Sequence, residues 1–152
     1  MKSQIIINIL VIRTKKTHRL FNKLIVLMGC IILASNSYSQ NSQQHLEVGQ
    51  EKMKLKDING AIKSFDEAIK LNPDFEIAIM NRAVARMAQG NWNLAIPDCD
   101  KAIRLNPNQA VAYFIRGSAN GNLGKNGCAD LIRAQELGYK NASIALKKFC
   151  NK

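Results

Sequence analysis

The stretch AIKSFDEAIKLNPD (Ala61–Asp74) returns as AIPDCDKAIRLNPN (Ala95–Asn108), with eight of fourteen positions identical and each residue 34 positions from its copy. No other feature of the chain limits its fold so tightly. A fixed period of about 20–50 residues means stacked supersecondary units, none of which can bury its apolar face alone. The punctuation keeps the same step, since Ala78, Arg82 and Gly90 recur as Ala112, Arg116 and Gly124. Past Gln40 there is no alternating strand pattern and no valine- or threonine-rich run, so the repeating units are predicted to be helices.

Within each unit the order of large, small and Pro positions resembles the tetratricopeptide repeat (TPR). The first copy supplies His45, Val48 and Gly49, then Ile58, then Ala61, Phe65, Ala68 and Pro73. The second supplies Ile79, Arg82 and Ala83, then Trp92, then Ala95, Cys99, Ala102 and Pro107. The third begins with Tyr113, Arg116 and Gly117 and then drifts, with Gly127 in place of Ala and Tyr139 in place of Pro. Its Ala134 and Leu137 follow Ala102 and Leu105 by only 32 residues, so its turn reads as two residues short. The resemblance implies an all-α fold, an α-solenoid of about three TPR helix-turn-helix repeats near 42–75, 76–109 and 110–141. Small residues are expected where helices cross, with Phe65, Cys99 and Leu131 filling the gaps between repeats. Residues 141–150 read as a C-terminal capping helix that turns Ile144, Leu146 and Phe149 inward and Lys147 and Lys148 to solvent. Pro97 is placed in the first turn of its helix, where a missing N–H costs little.

The net charge of +11 divides unevenly. Lys2, Arg13, Lys15, Lys16, Arg19 and Lys23 lie in residues 1–39 without one acid, whereas 40–152 holds 16 basic and 11 acidic residues, an ordinary balance for a small domain. No basic stripe with interleaved aromatics occurs, and nucleic acid is not an expected partner. Residues 1–39 read as a signal or topogenic segment ahead of a TPR domain at 40–152. The apolar run Leu24–Ala34 is 11 residues, short of the roughly 20 that span a bilayer. Ser37 and Ser39 suit cleavage between Ser39 and Gln40, which places the product in the periplasm or cell envelope. Two alternatives stay open, lipidation of Cys30 and an uncleaved membrane anchor through 24–34. The second apolar run, Ile5–Ile12, is also explained by a translation start at Leu20.

The resemblance further implies a concave groove lined by the first helix of each repeat. Its candidate lining is Leu46, Gln50 and Met53, then Ile77, Met80, Val84 and Met87, then Val111, Phe114, Ser118 and Asn122. Such an apolar, Met-containing groove suits a peptide or protein segment, because methionine adapts to several shapes. Family members that clamp a C-terminal carboxylate use Lys, Asn and Arg at set groove positions. Leu46, Gln50, Val111 and Ile115 replace most of these, so that clamp is not expected. A homo-oligomer using the groove as its interface, or a membrane-tethered adaptor, is the alternative.

In an exporting context disulfides persist. Cys99 occupies a core position and Cys30 leaves with the signal or is lipidated, so Cys128 and Cys150 form the candidate disulfide, against the alternative of two unpaired thiols. The tail GCADLIRAQELG…ALKKFC also resembles endings of small exported bacterial repeat proteins. The only histidines, His18 and His45, cannot assemble a metal pair or a nucleophile–base group, so no metal, cofactor or enzymatic role is expected. Asp66, Glu67, Asp98 and Asp100 read as solvated helix faces paired with Lys63, Lys70, Lys101 and Arg104.

Overall fold

A computed structural model describes Met28 and residues 40–150. The chain divides into two units, Met1–Ser39 and Gln40–Lys152. Cys30, Ser39 and all of Leu24–Ala34 except Met28 lie outside the described residues. Among the described residues there are seven helices and no strand. They are α1 (40–54), α2 (Ile58–Leu71), α3 (Glu76–Ala88), α4 (Trp92–Leu105), α5 (Ala110–Asn122), α6 (Cys128–Glu136) and α7 (Ala142–Phe149). None is long and apolar enough to cross a membrane.

The repeated Leu-Asn-Pro is a stop signal. Proline pushes the preceding residue out of the helical region. Asn72 (φ −133°, ψ 92°) and Asn106 (φ −141°, ψ 96°) are accordingly extended, and α2 and α4 end one residue earlier. The other turn of the unit reverses through Gly90 (φ 75°) and Gly124 (φ 71°), a left-handed conformation that glycine takes without steric cost.

From α2 to α7 successive helices pack on one another, α3 also touches α5 and α5 touches α7, while Leu46 of α1 joins the cluster around Phe65 of α2. The odd-numbered helices α3, α5 and α7 therefore form one layer and the even-numbered helices the other. Close crossings need small residues. A Cβ on Gly117 would lie 2.8 Å from Leu131 Cγ, and one on Gly121 would lie 2.6 Å from the Phe149 ring. Phe65, Cys99 and Leu131 are fully buried between these crossings.

Three details differ from the sequence reading. The two residues missing from the third repeat are taken from the helix rather than the turn. α6 has 9 residues against 14 in α4, and residues 123–127 form a longer connection. Gly127 stands where Ala was expected because its backbone lies against that of Gly117, leaving no room for a methyl group. Pro97 is the sixth residue of α4, beyond its first turn, on an exposed face where water can reach the carbonyl it leaves unpaired.

Candidate functional site

Three of the four acidic residues expected on solvated faces, Asp66, Asp98 and Asp100, pair instead with arginines of the odd-numbered helices. Arg82 of α3 bridges two repeats, with Nη1 donating to Asp66 Oδ1 at 2.6 Å and Nε and Nη2 gripping Asp98 at 3.0 and 2.6 Å. Arg86 adds a contact to Asp98 at 2.7 Å. One period later Arg116 of α5 repeats the arrangement, reaching Asp100 at 2.6 Å and gripping Asp130 at 2.8 and 2.6 Å. Burial alone would lower the Arg82 pKa, but the hydrogen bonds it donates to Asp98 and Asp66 outweigh it and hold the guanidinium above its ordinary value. For Arg116 the bond to Asp130 leads, and the shift is again upward. These pairs staple neighbouring repeats. The sequence carried their signal in the 34-residue step from Arg82 to Arg116 and from Asp66 to Asp100. Reading each helix alone hid it. Glu67 does pair locally with Lys70, at 3.3 Å on an exposed face.

The candidate groove residues fall into three groups. Leu46 and Met80 are core, 2% and 7% exposed, and this corrects their assignment to the groove lining. Leu46 shares its cluster with Phe65 and Ala78, while Met80 packs with Ile79 and Ile115. Gln50 and Ile77 are open to solvent, and Met53, Val84 and Val111 are half-buried against the core. Met87, Phe114, Ser118 and Asn122 come together around one cavity of about 410 Å³.

The other side of that cavity lies outside the candidate groove positions. Trp92, at the start of α4, completes one edge, and Asn141, just before α7, with Ile144, Ala145, Lys148 and Phe149 of α7, closes it. α7 is therefore more than a cover. Its inward residues are Ala142 and Ala145, Leu146 and Phe149 are half-buried, and Ile144 is 69% exposed instead of turned into the core. Tyr139, at the missing Pro position, stacks on Phe114 with ring centroids 4.6 Å apart. The structure pairs Cys128 with Cys150, Cα atoms 5.8 Å apart, tying the end of α7 to the start of α6. Cys99 is free and buried, and burial pushes its thiol up from an ordinary 9.0 to about 12. Among the described residues no group of His, Cys, Asp or Glu is placed to hold a metal.

Family models described as tetratricopeptide repeat match residues 45–75 and 77–109. The solved Arabidopsis OM64 TPR domain is 32% identical, with 74% of this chain and 96% of that one covered and a TM-score of 0.70. The chain belongs to the tetratricopeptide-repeat family. The first TPR of Spaghetti (RPAP3), bound to the HSP90 peptide SRMEEVD, is 29% identical over 73% of this chain and 91% of that one, at a TM-score of 0.69. The first TPR domain of human RPAP3 is 25% identical over 75% of this chain and 98% of that one, at a TM-score of 0.64. No curated protein matches the chain significantly in sequence. An all-α solenoid of TPR repeats is thus its architecture.

Proposed function

We propose that this TPR chain is a non-enzymatic adaptor of the bacterial cell envelope that holds a peptide or protein segment against α3, α5 and α7. The observation that carries the reading is the cavity shared by Met87, Phe114 and α7, an apolar recess on the layer that the odd-numbered helices form. The neighbour carrying an HSP90 peptide supports a peptide as the class of partner. Its carboxylate-ended peptide is not the model for this chain, since Leu46 and Ile115 are buried apolar residues at positions where a clamp needs charge. Export rests on the sequence of residues 1–39, cleaved before Gln40, and the Cys128–Cys150 bond suits an oxidising compartment. A small exported bacterial repeat protein fits both.

Two measurements test the reading. Intact mass and N-terminal sequencing of protein recovered from its host without reductant should give a chain that begins at Gln40 and carries one disulfide. A product retaining 24–34, or with Cys128 and Cys150 both reduced, would remove the envelope from the proposal. Sedimentation at micromolar concentration should give a monomer, whereas a stable dimer would favour self-association through the groove.

A further inference from the structure

We propose that α7 is a recognition wall: the cavity it closes against α5 receives a large apolar side chain of the bound segment, with an acidic residue of that segment set against Lys148. This rests on the peptide-binding reading above. The cavity, about 410 Å³, falls within the range of about 300–1,000 Å³ of small-molecule sites. Its floor and sides are Met87, Trp92, Phe114 and Phe149, and Ile144 stands at its rim with 69% of its surface in water. A large apolar residue held at the edge of an apolar recess has surface to lose when an apolar side chain enters.

The charge around the cavity has one sign. Among the described residues Lys148 is the only charged one lining it, and the segment from Tyr139 to Cys150 carries Lys140, Lys147 and Lys148 without an acid. Lys148 Nζ lies 4.6 Å over the Phe149 ring and has no carboxylate partner among the described residues. Its ammonium is thus held beside the apolar recess with its charge uncompensated. A carboxylate next to the inserted side chain complements it, and a basic segment is repelled.

The wall is fixed by little besides covalent chemistry. α7 is 8 residues long, buries only Ala142 and Ala145 fully, and makes no ion pair among the described residues. The Cys128–Cys150 bond and the approach of Phe149 to Gly121 hold it in place. Breaking the bond should therefore weaken recognition without dismantling α3 to α5.

The test is selection from a displayed library of random dodecapeptides on the purified, oxidised chain, followed by affinities for the Ile144→Arg, Lys148→Ala and Cys150→Ser variants. Both Ile144 and Lys148 are exposed, so their variants fold. Selected peptides should place a large apolar residue within about two positions of Asp or Glu, as groove peptides anchor by side chains at fixed spacing. Ile144→Arg should weaken them about tenfold or more, the scale of a central interface residue. Lys148→Ala should weaken them about fivefold, and no further once the acid is replaced by its amide. Peptides that bind wild type and Ile144→Arg equally would overturn the proposal and leave the groove reading intact. Failure to select any peptide would overturn both. A dimer that Ile144→Arg dissolves would identify a second copy of the chain as the occupant and overturn the proposal.

Discussion

The junction between the first two repeats and the junction that closes the chain meet the same demand by different means. Around α2 to α4, helices cross over alanines and are stapled by Arg82, which reaches Asp66 in one repeat and Asp98 in the next. Around α5 to α7, glycine stands in place of alanine at Gly117 and Gly127 and of methionine at Gly121, the second helix loses its first turn, and a disulfide adds to the packing. A repeat flanked on both sides is stabilised by its neighbours. The third repeat packs on the second at one face and on α7 at the other, and the disulfide ties α7 to it. That tie also frees α7 from filling core, which leaves Ile144 and Lys148 available at the cavity.

Removing the charge at the centre of the first junction should have the largest effect. Asp98→Ala leaves Arg82 and Arg86 without their shared carboxylate, which is buried, and should cost about 3 kcal/mol or more in urea unfolding, since breaking a buried pair strands its partner. A loss below about 1 kcal/mol would mean that these pairs staple nothing. Cys128→Ser with Cys150→Ser should cost about 3 kcal/mol for a loop of 22 residues in the chain-entropy model. Hydrogen exchange should then speed in α7 and stay slow in α3 and α4; uniform acceleration would contradict the separation of the two regions. Gly117→Ala forces a methyl against the Gly127 carbonyl and Leu131 and should cost about 1–3 kcal/mol, read as a lower melting temperature. The smallest effect belongs to Lys70→Ala, an exposed pair with Glu67, expected within about 0.5 kcal/mol of wild type.

Cys99 gives a pH-dependent check inside the first region. Its folded pKa lies above the ordinary value, so the folded state favours the neutral thiol. That contribution is complete below pH 9.0 and is lost as pH rises toward about 12. Iodoacetamide at pH 8 should leave Cys99 unmodified in the native protein and label it once urea unfolds the chain. Rapid native labelling would show that the α3–α5 core opens.

The repeating part of the fold was legible because its signals are local and recur. Leu-Asn-Pro ends a helix wherever it stands, and alanines 34 apart mark the same crossing in each copy. The Arg82 and Arg116 staples were not read, although their residues repeat, because each arginine finds its acids 14 to 16 positions away on other helices. The cavity was half legible. Met87 and Phe114 follow from the register of the repeat, whereas Ile144 and Lys148 lie past the point where the register breaks. Helical periodicity gives α7 an apolar side without saying which element that side faces. The alanines, not Ile144, turned out to be the buried ones.

The most direct test of a binding layer built from the odd-numbered helices is photo-cross-linking in the native host. A photoreactive residue is placed at Phe114, on the cavity, and in a second protein at Ile132, exposed on α6 of the other layer. An adduct of one discrete mass from Phe114, absent from Ile132 and absent again when Ile144→Arg is added, is the predicted result. Adducts from Ile132 alone, or equal adducts from both positions, would contradict it.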